Sequence, residues 1–265
     1  MVPLFNIFGK TIGIYQIMIL CGIFATGIYC SLISKKLKRN DNDTIIFLLF
    51  ISIGVFAGGS ILYGVVNHPY IIYAINNIHK IDSWAKLWNT LQVIFGGSVF
   101  YGGLLGGLLV TAIYLRIKPG HRYIVDIVAP GIPLFHFFGR IGCFLGGCCY
   151  GIESSCGFTM HHSPIPQANE VSRFPVQLLE AVFNLGLFIL LHFFLKKGKF
   201  KDRLLYLYLL CYSFTRFFLE FLRGDEHRGL FFGVSTSQII SIFVLFIVSL
   251  ILFFRSPSKV NKRHD

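Results

Sequence analysis

The sequence predicts an all-α polytopic membrane protein of about seven transmembrane helices, with the N-terminus outside and the C-terminus in the cytoplasm. Three observations predict it. Of the 265 residues, 54% are hydrophobic and only 14% are charged, against about 25% charged in soluble domains. Mean hydropathy is +0.67. The apolar residues gather into runs close to the ~20 residues that a bilayer core demands, and the basic residues collect after alternate runs.

The runs are read in order at 12–33, 44–66, 93–115, 124–150, 176–195, 204–222 and 234–254. The first is too long for the apolar part of a cleavable signal peptide, and residues 1–10 carry one lysine, so it is read as a span. The fourth is long, and Pro130 and Pro133 are expected to tilt or break its first half. Two connections are extended. Residues 67–92 carry Tyr70, Tyr73, Trp84 and Trp88, which suit an interfacial helix on the outer leaflet. Residues 151–175 carry Pro164, Pro166 and Pro175. A short polar tail, 255–265, is expected to be disordered. No repeat of 20–50 residues is visible, which excludes a solenoid, and the whole chain reads as one integral membrane domain.

A net charge of +12 raises the question of nucleic acid, and the positions of the charges answer it. Sixteen of the 24 basic residues follow the first, third, fifth and seventh runs, among them Lys35, Arg116, Lys196 and Arg255. With seven spans these all fall on one side, which the positive-inside rule makes cytoplasmic. The charge reports topology and anionic headgroups rather than nucleic acid.

Arg140 lies inside the fourth run, in His136-Phe-Phe-Gly-Arg-Ile-Gly-Cys-Phe-Leu-Gly-Gly-Cys-Cys-Tyr-Gly151. An arginine at bilayer depth costs about 2.5 kcal/mol or more. The glycines around it suit backbone that breaks, packs tightly or approaches a ligand. Together they read as an anion site, against the alternative that Arg140 snorkels or pairs with a carboxylate.

In Thr215-Arg-Phe-Phe-Leu-Glu-Phe-Leu-Arg-Gly-Asp225, the residues Arg216, Glu220 and Arg223 share one helical face. Two arginines to one glutamate leave a positive excess, and a guanidinium suits a phosphate diester. A self-contained ion pair between helices is the rival reading. The run Gly96-Gly-Ser-Val-Phe-Tyr-Gly-Gly-Leu-Leu-Gly-Gly107 carries overlapping Gly-x-x-x-Gly pairs for close helix packing, with Tyr101 beside them as a proton donor or acceptor. Gln177 and Glu180 open the fifth run, where Glu180 is placed to pair with Arg140 or Arg216. Ser235-Thr-Ser-Gln238 opens the seventh and is read as a cap.

The seven cysteines are an odd count. Cys21, Cys30 and Cys211 read as packing residues. Cys143, Cys148, Cys149 and Cys156 cluster near the end of the fourth run, with His136, His161 and His162 at hand. Close packing, a disulfide through Cys156 and a zinc site are the alternatives. Cys-x4-Cys-Cys lacks the usual pair of closely spaced cysteine pairs, so no metal-ligand set is named.

These stretches together resemble the prolipoprotein diacylglyceryl transferase family, over nearly the whole chain. The family's Gly-Arg-x-Gly-Asn-Phe run is similar to Gly139-Arg-Ile-Gly-Cys-Phe144, with Cys143 at the asparagine. Tyr15 resembles its first-span tyrosine. Phe100-Tyr-Gly-Gly103 resembles its Phe-His-Gly-Gly, with Tyr101 at the histidine. Pro175-Val-Gln-Leu-Leu-Glu180 is similar to its Pro-x-Gln-Leu-Tyr-Glu, and Cys148 stands where the family usually has glutamate. Arg216-Phe-Phe-Leu-Glu-Phe-Leu-Arg223 resembles its Arg-Phe-x-x-Glu-x-x-Arg element, and Ser237-Gln238 its closing Ser-x-x-Gln region.

The resemblance implies a transferase of a bacterial inner membrane. It moves a diacylglyceryl group from phosphatidylglycerol to the lipobox cysteine thiol of a prolipoprotein, and glycerol phosphate leaves. It implies Tyr101, Arg140, Arg216 and Glu220 as catalytic. It implies Tyr15, His136, Gly142, Cys143, Gln177, Glu180 and Arg223, with the two central arginines, as substrate-binding. His136 is an alternative source of the imidazole that Tyr101 replaces. No cofactor enters this reading. The rivals are a membrane thiol-redox protein using the cysteine cluster and a non-catalytic protein that binds or transports anionic lipid.

Overall fold

A backbone in hydrocarbon has no water to bond, so each apolar run must satisfy its own N–H and C=O groups, and the helix does this within the segment. The computed structural model describes residues 4–7, 10–97, 99–161, 163, 165–225, 230–231 and 234–254 and is mostly helical. The 255–265 tail, His162 and Pro164 lie outside the described residues.

A short hairpin, β1 (Leu4–Ile7) with β2 (Lys10–Gly13), leads into α1 (Ile14–Lys36). α2 (Asp41–Val66), α3 (His68–Asn76), α4 (Trp84–Phe95) and α5 (Phe100–Ile117) follow. The expected fourth span is two helices, α6 (Tyr123–Val128) and α7 (Gly131–Gly146), parted at Ala129-Pro130 as the prolines predict. After it come β3 (Glu153–Thr159), β4 (Ser172–Arg173), α8 (Val176–Lys196) and α9 (Leu204–Leu219). The chain closes with β5 (Leu230–Phe231), β6 (Val234–Ser235) and α10 (Thr236–Phe254).

Among the described residues, six helical segments are long and apolar enough to cross a membrane: Ile14–Lys36, Asp41–Val66, Pro119–Gly146, Val176–Lys196, Leu204–Leu222 and Thr236–Phe254. The chain is a multi-pass membrane protein. The third run, expected as a span over 93–115, is instead divided between the end of α4 and the shorter α5, because Gly96 and Gly97 end α4 before a new helix starts. Outward faces carry large apolar side chains in the open, such as Phe24 (66% exposed) and Phe253 (81%), as lipid contact requires.

Helix ends are fixed by local chemistry. Asn40 Oδ1 accepts from the Asn42 amide at 3.0 Å and starts α2. At the start of α10, Ser235 Oγ accepts from the Gln238 amide at 3.2 Å, and Gln238 Oε1 accepts from the Ser235 amide at 3.0 Å. This reciprocal capping box is the capping role expected of that segment.

The contacts divide the chain into two compact units: Leu37–Ile124, and Met1–Lys36 with Val125–Asp265. In the first, α2 packs on α5 through glycines. A Cβ on Gly106 would strike the Gly54 carbonyl oxygen, and one on Gly102 that of Gly58. The expected close packing is therefore backbone on backbone. Tyr70, Tyr73, Trp84 and Trp88 stand exposed on α3 and α4.

In the second unit α1 packs on α7, α7 on α8, and α9 on α8 and α10. Ala129, Leu187, Leu191, Leu204 and Tyr208 form a buried cluster there. The 151–175 connection is not plain loop. Its β3 and β4 pair antiparallel, and Gly151 forms a bridge with Arg223. Ser163 and Asn169 tie the turn between the strands with two hydrogen bonds. Nothing in the strand pattern of 153–159 announces this ribbon, since its residues are mostly exposed on both faces.

Candidate active site

Three helices of the second unit each present a polar row at helical spacing. On α7 it is His136, Arg140 and Cys143; on α8, Gln177, Glu180 and Asn184; on α9 and the 3-10 turn after it, Tyr208, Tyr212, Arg216 and Glu220. Such residues are costly towards lipid and face the bundle interior, where they find one another.

Glu180 is the hub. Its Oε1 lies 3.0 Å from Arg140 Nε and accepts from the Tyr212 hydroxyl at 3.3 Å. Its Oε2 lies 3.7 Å from Arg216 Nη1. Arg216 Nη2 reaches Glu220 Oε2 at 2.9 Å and donates to Ser237 Oγ on α10 at 3.3 Å. Glu180, Glu220 and Arg216 are buried, while the Arg140 side chain keeps 20% of its surface open. Asn184 Nδ2 donates to the Glu180 carbonyl at 2.8 Å and steadies the hub's own turn.

The positive excess expected from Arg216, Glu220 and Arg223 alone is cancelled in the fold. Arg140 and Arg216 meet Glu180 and Glu220, and Arg223 forms a two-pronged pair with Asp225. Burial works against the Arg223 charge, and the bonded Asp225 carboxylate overcomes it, holding the guanidinium above its ordinary pKa. The donors are not used up. Arg216 Nη1 is buried and makes no hydrogen bond among the described residues, beyond its long approach to Glu180. Arg140 Nη1 reaches Cys143 Sγ at 4.0 Å, a weak acceptor.

The C-terminal end of α7 completes this region. Gly147 (φ +73°) ends the helix in the left-handed conformation. Gln177 Nε2 donates to the Cys148 carbonyl at 2.8 Å, and the buried Gln177 Oε1 is unpartnered among the described residues. Gly142 faces α1: a Cβ there would sit 3.0 Å from Met18 and 3.2 Å from the Tyr15 ring.

The model of the prolipoprotein diacylglyceryl transferase family matches residues 3–255. The chain belongs to this family. Curated relatives named phosphatidylglycerol–prolipoprotein diacylglyceryl transferase agree along most of their lengths. That of Clostridium tetani is 35% identical over 247 residues, covering 92% of this chain and 93% of the relative. A second, numbered 2, from Clostridium perfringens is 34% identical, covering 91% and 90%. One from Campylobacter hominis is 29% identical, covering 91% and 86%. The protein is accordingly a transferase.

For this diacylglyceryl transferase, the fold brings Arg140, Glu180, Arg216 and Glu220 into one network, with Cys143 and Gln177 at its edge. His136 Nδ1 lies 3.1 Å from the Tyr208 hydroxyl, and its ring stands 5.2 Å from that of Tyr212, the residue that donates to Glu180, so it borders the network one turn from Arg140. Tyr15 and Gly142 meet in the α1–α7 packing, and Arg223 joins Asp225 rather than Glu180. Tyr101 stands in the first turn of α5, in the other unit, and its side chain lies outside the described residues. The sequence reading missed Tyr208, Tyr212 and Asn184. The signal was present: 208, 212, 216 and 220 are four apart, as are 180 and 184, so each extends a row already begun.

Proposed function

We propose that this transferase moves the diacylglyceryl group of phosphatidylglycerol onto the lipobox cysteine thiol of a prolipoprotein in a bacterial inner membrane. The names of its curated relatives supply both substrates. The observation that carries the reading is the meeting of two guanidiniums on Glu180, from α7 and α9, with Arg216 Nη1 buried and making no hydrogen bond among the described residues. The N-terminus is proposed to lie outside and the C-terminus in the cytoplasm, from the distribution of basic residues.

The chemistry follows from balancing the reaction. The substrate thiol loses its proton, and the thiolate attacks the glyceryl carbon that bears the phosphate ester. A C–S bond forms, the C–O bond breaks, and glycerol phosphate leaves with the bonding pair on its phosphate oxygen. Arg140 and Arg216 stabilise the charge developing there. Fixed by Glu180 and Glu220, they need little reorganisation at that moment. The nucleophile belongs to the peptide, so none of the enzyme's cysteines has to react. Tyr101 and His136 are the candidates for handling the proton.

Purified protein incubated with phosphatidylglycerol and a lipobox peptide is expected to yield diacylglyceryl-peptide and glycerol phosphate in equal amounts. Folded, lipid-bound protein that forms neither product would move the function to another lipid, another acceptor or binding alone.

A further inference from the structure

The polypeptide brings three thiols together that the transfer chemistry does not use. Cys143 is in the last turn of α7, and Cys148 and Cys149 follow its cap. Their three Sγ atoms all lie within 4.8 Å of one another. Spacing alone hides this, because Cys-x4-Cys-Cys does not present the usual ligand pairs.

The backbone supplies what the spacing lacks. Gly147 takes φ +73°, and the Cys148 amide turns back to donate to the Cys143 carbonyl at 3.1 Å. Cys149 then adopts φ +55°, a left-handed conformation uncommon for a side-chain-bearing residue. Two left-handed residues within three positions return Cys149 to the helix end it has just left. Gln177 pins the loop through the Cys148 carbonyl. Cys143 is buried, while Cys148 and Cys149 are half-buried, so the cluster is walled on one side and open on the other.

We propose that Cys143, Cys148 and Cys149 bind one soft, thiophilic metal ion as three thiolates, with a fourth coordination position open. At a metal–sulfur distance of about 2.3 Å, tetrahedral ligand sulfurs stand about 3.8 Å apart. The three sulfurs need to close by about 1 Å at most, within reach of side-chain rotation. Thiolate selects soft cations over magnesium or calcium. Charge favours the same occupant: a divalent ion with three thiolates is a net monoanion, and Arg140 lies beside it, with Nη1 4.0 Å from Cys143 Sγ. This inference does not rest on the transfer reaction, since its readout is metal binding.

The test uses the full chain in detergent, purified under reducing conditions with its seven thiols titrated, and Cd²⁺ as the probe. One equivalent of Cd²⁺ is expected to bring up a thiolate-to-metal charge-transfer band sized for three thiolates, and excess chelator to remove it. Cys143→Ser and Cys149→Ser are each expected to weaken binding at least tenfold. Cys156→Ser and Cys211→Ser are expected to leave it unchanged. Fully reduced protein that shows no band overturns the proposal. So does a band that survives Cys143→Ser and Cys149→Ser at unchanged affinity, or one lost equally in Cys156→Ser.

Discussion

Glu180 Oε1 lies 3.0 Å from Arg140 Nε, an ion pair that joins α8 to α7 at the centre of the site. The second oxygen of the same carboxylate faces Arg216 on α9, so three helices are registered on one anion. A carboxylate and two guanidiniums are each costly in an apolar interior, and each is tolerable there because the others are present.

Removing the hub therefore strands Arg140 and leaves Arg216 with Glu220 alone. Glu180→Gln is expected to destabilise the protein by about 3–5 kcal/mol, the usual cost of breaking a buried ion pair. Thermal unfolding in detergent checks this, and an unchanged midpoint would show that the guanidiniums are held by something else.

Tyr212 supports Glu180 from the same row as Arg216. Tyr212→Phe removes one hydrogen bond at 3.3 Å and keeps the ring, so the expected loss is about 0.5–1.5 kcal/mol. Combined with Glu180→Ala it should add almost nothing, because the acceptor has already been removed. Full additivity in the double variant would separate Tyr212 from the network.

The glycines divide into those that cannot take a side chain and those that can. A Cβ at Gly106 would meet the Gly54 carbonyl, whereas one at Gly186, within α8, meets nothing within 4 Å. Gly106→Ala should lower the unfolding midpoint. Gly186→Ala should raise it, by about 0.4–1 kcal/mol, through reduced freedom of the unfolded chain. The reverse order would contradict the α2–α5 packing described above.

Tyr101→Phe addresses the proton. If the phenol handles it, loss of the hydroxyl is expected to slow transfer about 10²-fold or more at unchanged protein level. Unchanged turnover in the same assay removes Tyr101 from the mechanism and leaves His136→Gln as the next variant to measure.

Most of the fold was legible because bilayer-spanning helices carry their own signal: length, apolarity and flanking charge. Pro130 and Pro133 marked the break between α6 and α7 for a plain covalent reason. The shortening of the third run was harder to see, since Gly96 and Gly97 look equally at home within a packed helix and at its end. The ribbon over 153–173 was hidden because its residues are exposed on both faces and so show no alternation. Of the site, Arg140, Glu180, Arg216 and Glu220 stood out as charges in apolar runs. Tyr208, Tyr212 and Asn184 did not, because neutral polar residues in a span are less costly and pass for packing. The cysteine cluster depends on two left-handed residues, which no spacing rule encodes.

The most direct measurement of the central claim is diacylglyceryl transfer by Arg140→Ala and Arg216→Ala beside the unaltered protein, each at matched membrane levels with unfolding midpoints recorded. Folded variants are expected to lose about 10²–10³-fold in turnover, as when one charge-stabilising donor is removed from an active site. Full lipidation by both variants would contradict the claim, leaving the two arginines as structural partners of Glu180 and the phosphate to be held elsewhere.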